Sequence, residues 1–538
     1  MVPAASGPPQ RRSPRRRPSR RRFWARRIML LSIVAVVLVV TAAVAEYFYL
    51  GSLVHHTDVG HLQTAGAKEN ILLVGSTERC APGMKANPAY GLCSQGVTGI
   101  NSDIVMIVHL DLGAHTVSLL SIPRDTFIPN ARKEGANKID AALYQGPTQL
   151  AAAIEEDFAI PINHFVELNF DTFAKVVDSL GGTRMYFPMP IFDAESGLNI
   201  RRPGCYRLDG YHALQVVRAR HLQYQPKGYP FAHSTWPQEA QSDIARIRRT
   251  HEFLRVLASQ VSARGIGDPL TDQSIATSVL PSLTVDNAFG EGHMVALAEA
   301  FASTSITNVP QFTFPVVTVE VGSYLYKGYY YGDIEFPLQP GGYAAIDKLF
   351  GVKSNQSTFN YTKLPASGSF AVTVENGSGV AGQAKKIATD LTTRGFNVVA
   401  TGDRTPVNPR ETQTVIWYGG SPPPVNGNWT SPAQAQAETV LRQIQGPAVL
   451  GYNPSEVTPG ATVTVQTGTD ISMVPLAPKP VTTTTLKGTP TTVTPTTVYD
   501  PPSVSGDNGL GKPTQLAQPL QPWDPRSCNA SLNGPGPY

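Results

Sequence analysis

A short segment that follows an apolar run carries the residue types best suited to chemistry. The run Thr116–Ile122 reads as a strand, and Arg124 and Asp125 come directly after it in the sequence SIPRD. Open α/β sheets place their ligand sites at the carboxyl ends of strands. Asp103 stands at the start of another apolar run, Ile104–Leu110, in the sequence NSD. We therefore expect an arginine and a carboxylate to meet at one edge of a sheet.

Three further arginines extend this pattern. Arg79 closes the first apolar run, and Arg218 and Arg220 lie two residues apart in VRAR, where an extended backbone would project them to one side. Guanidinium groups bind phosphate oxygens bidentately, and a carboxylate such as Asp103 is a suitable ligand for Mg²⁺ beside a substrate phosphate. Arginines with a few carboxylates are the chemistry of a polyphosphate site, but on spacing alone Arg–Asp pairs more often form surface or interface salt bridges.

The elements that must position these side chains alternate between strands and helices. Between the apolar runs, residues with helical spacing follow at Gln149–Phe158, before Gly181, and from Ser242 to about Leu257. Strands interleaved with helices predict a mixed α/β domain, a central sheet flanked by helices, over residues 66–352. The third helix carries Arg246 near its start.

The C-terminal part of the chain divides into two regions. After a stretch rich in Ser, Asn, Thr and Gly, residues 369–475 show strands and helices in a βαβ-like order. This pattern predicts a small second α/β domain. Residues 478–538 are rich in Thr and Pro and have few apolar side chains. Such a composition predicts a disordered tail, because it buries too little surface to offset the entropy of ordering.

The N-terminus has the pattern of a membrane anchor. Ten arginines lie between Arg11 and Arg27, and without them the chain has 34 basic and 40 acidic residues. The uncharged run from Ile28 leads to a predicted transmembrane helix over residues 28–50. The arginines of residues 1–27 keep that arm in the cytoplasm, which predicts a single-pass protein with its bulk outside the cell. A cleaved signal peptide is the alternative, and nucleic-acid binding is not expected.

Four cysteines fit an oxidising compartment. Cys80 and Cys93 bracket a loop rich in Pro, Gly and Asn, and we expect them to form a disulfide. A bond between Cys205 and Cys528 would require the tail to fold back, and it is not expected.

Several motifs together resemble a known family. Over roughly residues 66–352 the chain resembles the extracytoplasmic domain of the LytR-CpsA-Psr family, in the segments NILLVGSTER, GINSDIVMIVHLD, VSLLSIPRDTFIP, NKIDAAL, VDSLGG and LDGYHALQVVRARH. Residues 369–475 are similar to the LytR C-terminal domain through FAVTVENGSGVAG and RGFNVV. The resemblance implies a magnesium-assisted phosphotransferase. Such an enzyme moves a glycopolymer from a polyprenyl-pyrophosphate carrier, held in an apolar pocket, to a hydroxyl of peptidoglycan.

The resemblance also implies roles for individual residues. Asp103 matches the aspartate on the metal side of the family's site, and Arg124 matches its central phosphate-binding arginine. Arg218 and Arg220 match the downstream pair on the same pyrophosphate. Arg79 is a candidate replacement for an arginine that the family often has where this chain has Asn101.

Other positions depart from the family or leave roles open. Thr77 stands where the family commonly has Asp, and Thr250 where it often has Gln. No general base is evident, with His221 the nearest candidate among His109, His164 and His212. A polyprenyl-pyrophosphate pyrophosphatase, and a non-catalytic protein that binds lipid-linked glycan or cell wall, are the alternative functions.

Overall fold

The computed structural model describes most of the chain beyond the N-terminal arm. It covers residues 49, 51–78, 80, 93–96, 98–240, 242–264, 277, 280–290, 292–293, 309–319, 324–404, 412–421, 429, 431–476, 510–513 and 518–528. The predicted arm, nearly all of the predicted span, and Arg79 lie outside these residues. Among the described helices, none is long and apolar enough to cross a membrane. The chain divides into two compact units, residues 1–53 and 54–538, and the second is described below.

The described strands and helices follow the chain in a mixed order. The strands are β1 His55–Thr57, β2 Lys68–Ser76, β3 Ser102–Asp111, β4 Thr116–Ile122, β5 Phe127–Arg132, β6 Gly135–Lys138, β7 His164–Leu168, β8 Thr183–Phe187, β9 Ile191–Asp193, β10 Leu198–Ile200, β11 Gly204–Leu208, β12 Gln223–Tyr224, β13 Thr284–Asp286, β14 Gln311–Thr313, β15 Val316–Val319, β16 Leu325–Tyr326, β17 Tyr329–Tyr330, β18 Glu335–Gln339, β19 Ala371–Asn376, β20 Asn397–Asp403, β21 Thr414–Tyr418, β22 Ile444–Tyr452, β23 Val463–Thr467, β24 Ser472–Met473, β25 Leu510–Pro513 and β26 Arg526–Ser527. The helices are α1 Pro147–Phe158, α2 Phe170–Ser179, α3 Gly210–Arg218, α4 Ser242–Arg264, α5 Gly341–Phe350, α6 Gln383–Thr393 and α7 Pro432–Leu441.

A seven-stranded sheet forms the centre of the first region, in the order β1-β13-β7-β2-β3-β4-β14. Strands β2, β3 and β4 pair antiparallel in sequence order, and β7 runs parallel to β2. The carboxyl ends of β2, β4 and β7 therefore share one edge with the start of β3. Alternate residues of these strands feed two apolar clusters on opposite faces, so the sheet is buried on both sides.

Helices α2 and α3 approach each other closely beside that edge. A Cβ at Gly210 would lie 2.1 Å from the carbonyl oxygen of Ala174, so only glycine fits the contact. The Gly210 N–H donates to the Asp178 carboxylate at 2.7 Å, and Asp209 caps α3 by accepting from the His212 N–H. These contacts fix the direction of α3 and hence the position of Arg218 at its end.

The predicted second domain shares a sheet with the first region. Strand β18 pairs antiparallel with β22, which joins β15 and β18 to the strands of residues 371–467 in one nine-stranded sheet. Asn130 reinforces this junction by donating to the Tyr452 carbonyl and accepting from the Tyr452 N–H. The sequence predicts a separate unit here because pairing between stretches a hundred residues apart leaves no local pattern.

The prediction of a wholly disordered tail over residues 478–538 is wrong for two described segments. Strand β25 pairs with β15, and β26 pairs with β8. Cys528 forms a disulfide with Cys205, which corrects the expectation that these two cysteines do not pair, and Trp523 stacks on Tyr224 with ring centroids 3.9 Å apart. A covalent link and buried contacts offset the entropy of ordering a short segment. The structure also contains the predicted Cys80–Cys93 disulfide.

Candidate active site

The common strand edge brings most of the sequence-predicted residues together around an open polar pocket. Asp103 reaches it from β3, and Arg124 follows β4. Arg218 and Arg220 reach it from the end of α3, and Arg246 from the first turn of α4. The lining residues are Thr77, Gly96, Thr98, Gly99, Asn101, Asp103, Arg124, Glu195, Ser196, Arg218, Arg220 and Arg246.

Ion pairs hold the arginines in place. Arg124 pairs through Nη1 with Asp103, and its Nε lies 3.6 Å from Asp125 and 3.9 Å from Asp243. Arg220 bonds Asp125 at 2.9 Å. Arg246 lies one helical turn from Asp243, pairs with it at 2.9 Å, and donates to the backbone carbonyl of Asp103. Because each guanidinium group has a fixed partner, the cluster is preorganised for an anion.

The positive charge of the cluster exceeds the charge of its carboxylate partners. Burial alone would lower the pKa of Arg124, but Asp103, Asp125 and Asp243 outweigh that effect and raise it. Burial opposes ionisation of Asp125, yet Arg124, Lys138 and Arg220 lower its pKa. With Arg218 and Arg246, five cations face four carboxylates, since Glu195 also lines the pocket, so one positive charge remains in excess to attract a phosphate.

Three of the lining arginines keep unused donors. The Nε atoms of Arg124, Arg220 and Arg246 are buried and have no hydrogen-bond partner among the described residues. The Nε atoms of Arg124 and Arg220 face carboxylate oxygens just beyond hydrogen-bond length, at 3.6 Å from Asp125 and 3.7 Å from Asp243. Each guanidinium group carries five N–H donors in all, and their geometry matches phosphate oxygens.

A narrow apolar cavity adjoins the polar pocket. Asp103, Arg218 and Arg246 line both spaces, so the arginine cluster stands at the junction between them. The cavity lies between the sheet and helices α2, α3 and α4. Its other lining residues are Leu73, Gly75, Ser76, Ile104, Met106, Leu168, Asn169, Phe170, Phe173, Leu214, Val217, Thr250 and Leu254. This arrangement suits a ligand with a charged head and a hydrocarbon tail.

The structure corrects the expected geometry of VRAR. Arg218 is the last residue of α3 rather than part of an extended segment, and Arg220 lies beyond the helix. The Arg218 guanidinium stacks over the Phe170 ring, 4.5 Å from its centroid. A helix end followed by an irregular segment still brings both arginines to one pocket. The helix dipole also favours a cation at this terminus.

The positions that depart from the family have structural roles here. The Thr77 hydroxyl accepts from the Asn101 N–H at 2.9 Å and donates to the Gly99 carbonyl, while the Thr77 N–H donates to the Asn101 carbonyl. Thr77 and Asn101 thus brace each other in the pocket wall. Thr250 donates its hydroxyl to the Arg246 carbonyl and lines the apolar cavity.

Of the four histidines considered from the sequence, only His221 lies beside the polar pocket. Its Nδ1 is 3.0 Å from the carboxylate of Glu195, which lines that pocket. His109 bonds Asn70, His164 bonds Asp286, and His212 bonds Asp209, all away from the cluster. Glu195 and Lys138 were not expected at the site from the sequence, and Asp243 was expected only at the start of the third helix, without a role in the site. The i,i+3 spacing of Asp243 and Arg246 was the available signal for the last.

Two further carboxyl groups, each with a raised pKa, lie behind the cluster. Burial, with Asp125 and Asp103 nearby, raises the pKa of Asp140 to about 7. Burial and the charges of Asp243 and Asp125 raise the pKa of Glu335 well above its usual value. A raised pKa favours the neutral form of each carboxyl, which preserves the excess positive charge in the pocket.

The raised pKa of Asp140 predicts a pH-dependent stability. A carboxyl that binds its proton more tightly when folded stabilises the chain below its unfolded pKa, and this stability is lost as pH rises through about 7. Asp140→Asn cannot ionise. The difference in unfolding free energy between Asp140→Asn and wild type should therefore grow by about 2 kcal/mol, in favour of the variant, as pH rises from roughly 5 to 8. Denaturant titrations at both pH values check this, and a constant difference would contradict it.

Comparison with protein families identifies two regions. Residues 53–335 match the LytR_cpsA_psr family, and residues 369–470 match the LytR cell envelope-related transcriptional attenuator family, LytR_C. Both matches fall on the regions where the sequence motifs lie.

Individual relatives agree with the family matches. A probable cell wall biosynthesis protein LcpB from Corynebacterium glutamicum is 30% identical over 255 residues, which are 47% of this chain and 56% of that protein. The chain therefore spans little more than half of this relative. The polyisoprenyl-teichoic acid–peptidoglycan teichoic acid transferase TagU of Bacillus anthracis is 26% identical over 246 residues, 44% of this chain and 67% of TagU. The solved LytR-Csp2A-Psr enzyme from Actinomyces oris is 23% identical, with a TM-score of 0.40, and covers 49% of this chain and 87% of its own.

Proposed function

The chain belongs to the LytR_cpsA_psr family, and from this premise we propose that it transfers a glycopolymer from a polyprenyl-pyrophosphate carrier to peptidoglycan. The observation that carries the proposal is that the polar pocket and the apolar cavity meet at the arginines. The arginine cluster opens on one side to a polar pocket and on the other to an apolar cavity. The similar TagU is a polyisoprenyl-teichoic acid–peptidoglycan transferase.

The arginines suit the charge that develops during phosphoryl transfer. An acceptor hydroxyl oxygen forms a bond to the phosphorus that carries the glycan. The bond from that phosphorus to the bridging oxygen breaks, and polyprenyl monophosphate leaves with the electron pair. Arg124, Arg218 and Arg220 orient the diphosphate and neutralise the leaving group, which is most of what such a reaction requires from a protein. The pair Glu195 and His221 at the pocket wall is the candidate acceptor for the hydroxyl proton.

Magnesium is part of the proposal, with Asp103 as its protein ligand. Arg124 donates a hydrogen bond to Oδ1 of Asp103, which leaves Oδ2 as a possible metal ligand. The carboxylate is partly exposed and borders both the polar pocket and the apolar cavity. Mg²⁺ commonly takes one carboxylate and completes its shell with water and substrate phosphate oxygens, so the residues present fit it. When bound, the ion would neutralise part of the diphosphate charge.

We also propose that residues 28–50 anchor the chain in the cell membrane, with residues 1–27 in the cytoplasm and the bulk outside. The arginine-rich arm and the apolar run after it support this orientation. The two disulfides fit a location outside the cytoplasm, because thiols stay reduced inside it. The carrier lipid and peptidoglycan are then both within reach of the site.

A bulky residue in the apolar cavity should weaken binding of the lipid tail. Leu254 is half-buried and lines the cavity from α4. Leu254→Trp should weaken binding of polyprenyl pyrophosphate to the full chain about 10-fold or more, the effect of losing burial of roughly two CH₂ groups. Titration calorimetry in detergent measures it.

Two controls make this experiment specific to the tail. Inorganic pyrophosphate should bind Leu254→Trp and wild type equally, because the arginine cluster is unchanged. Leu254→Met, which keeps the volume, should bind the lipid as wild type does. Equal lipid binding by Leu254→Trp and wild type would exclude the cavity as the tail site.

A further inference from the structure

A second cluster of titratable side chains lies at the opposite end of the sheet. Glu69, His164 and His293 place one ligand atom each within 4.8 Å of one another. Within the described part of the chain, no other group of three His, Cys, Asp or Glu side chains meets this condition. Glu69 is the second residue of β2 and lies six residues before Gly75, at the end of the strand nearest the arginine cluster. The two sites are therefore about 20 Å apart along the strand.

The sheet register explains why two of these side chains meet. His164 pairs with Ile71 across the parallel strands β7 and β2, so it projects to the same face as Ile71. Glu69 lies two residues before Ile71 and shares that face. His293 comes from the segment after β13 and has its ring centroid 4.4 Å from that of His164.

The Nε2 atom of His164 is an orphaned ligand atom. His164 is only 1% exposed, and its Nε2 has no hydrogen-bond partner among the described residues. Its other nitrogen, Nδ1, lies 3.2 Å from the Asp286 carboxylate. Asp286 is itself fixed by the N–H groups of Phe165 and Ala288, at 2.8 Å each. The carboxylate therefore holds the proton on Nδ1 and leaves the Nε2 lone pair free.

A carboxylate that orients a histidine in this way is the usual outer partner of a metal-bound imidazole. From this geometry we infer that Glu69, His164 and His293 form a binding site for a zinc-class divalent cation. Two imidazoles and one carboxylate suit Zn²⁺, whereas Mg²⁺ prefers oxygen ligands.

The spacing of the ligand atoms is close to what such an ion requires. In a tetrahedral zinc site with bonds of 2.0–2.1 Å, ligand atoms lie about 3.4 Å apart. His293 Nε2 is 4.0 Å from Glu69 Oε1, so a shift of less than about 1 Å would complete this pair. His164 and His293 also line an open pocket, which would supply water as a fourth ligand.

The site would connect the segment after β13 to the central sheet. His293 approaches from that segment, while Glu69 and His164 belong to β2 and β7. A bound ion would cross-link these elements across one face of the sheet. The other end of that face borders the apolar cavity, which Leu73 and Met106 line. The ion would therefore contribute to stability rather than to phosphoryl transfer.

The test is zinc binding by the full chain in detergent, after stripping with a chelator and with Mg²⁺ in excess to occupy oxygen sites. We expect one zinc per chain by elemental mass spectrometry, and at least ~10-fold weaker binding by His293→Gln and by Glu69→Gln. Cobalt should give a visible ligand-field band in wild type that both variants lack. Their melting temperatures without metal show that they fold.

His115→Asn is the matched control, since His115 is exposed in the β3–β4 turn at a positive φ that Asn adopts readily. It should bind zinc as wild type does. Wild type that retains no zinc, or variants that retain as much as wild type, would overturn the site and leave a packed aromatic cluster. Neither result bears on the transferase proposal, because the assay involves no lipid or glycan.

Discussion

Replacing Arg124 with alanine should reduce glycopolymer transfer about 10³-fold while the chain still folds. Arg124 contacts Asp103, Asp125 and Asp243 and lines the polar pocket, so its loss removes the central charge of the cluster. The remaining cations keep the ion pairs of Asp125 and Asp243, which is why the fold should persist. The measurement is kcat/KM with a polyprenyl-pyrophosphate-linked glycan and a peptidoglycan acceptor.

Two further variants are the controls for this measurement. Arg124→Lys keeps the charge but loses the planar fork, so it should recover only part of the activity. Arg184→Ala removes an exposed arginine of β8 outside the pocket and should leave kcat/KM unchanged. Full activity in Arg124→Ala would show that transfer does not depend on this cluster.

Replacing Asp524 with alanine should lower the free energy of unfolding by about 3–5 kcal/mol. Asp524 is fully buried and pairs with Arg248, and its Oδ1 lies 3.7 Å from Arg249, which is also fully buried. Glu239 is the other carboxylate of this network. Without Asp524, two buried guanidinium groups would share one carboxylate, and an uncompensated buried charge is strongly unfavourable.

Denaturant unfolding of the full chain measures this loss. Asp333→Ala, which removes an exposed carboxylate, should change the unfolding free energy by no more than about 0.5 kcal/mol. If Asp524→Ala unfolds at the same denaturant concentration as wild type, the contacts of Asp524 do not stabilise the fold. The Cys205–Cys528 disulfide remains intact in this variant, so the result reports on the ion pairs of Asp524 together with the hydrogen bond that it accepts from the Gln521 N–H.

The strands that form the site were predictable because their signal is local. The hairpin of β3 and β4 follows from two apolar runs separated by a short turn, and β4 has the predicted bounds, Thr116–Ile122. Polar residues directly after or before buried strands must lie at a sheet edge, which places Asp103 and Arg124 side by side. Helix α6 likewise spans the predicted Gln383–Thr393.

The features that the sequence did not predict depend on distant partners. Strand β22 pairs with both β21 and β18, and the resulting sheet crosses the expected domain boundary. The segment around Trp523 has a disordered composition, yet it docks through a disulfide and a buried ion-pair network supplied by α4. Hydrophobic periodicity and composition carry no information about a contact with a distant segment. The ordered part of the tail was therefore not predicted.

The most direct test of the proposed transfer identifies the products of the reaction. The full chain in detergent receives a polyprenyl-pyrophosphate-linked glycan and a peptidoglycan oligosaccharide, and mass spectrometry identifies the products. We expect the glycan joined to peptidoglycan through a single phosphate, with one polyprenyl monophosphate released for each link. Glycan phosphate released into water in the presence of the acceptor would instead identify a pyrophosphatase and contradict the proposed transfer.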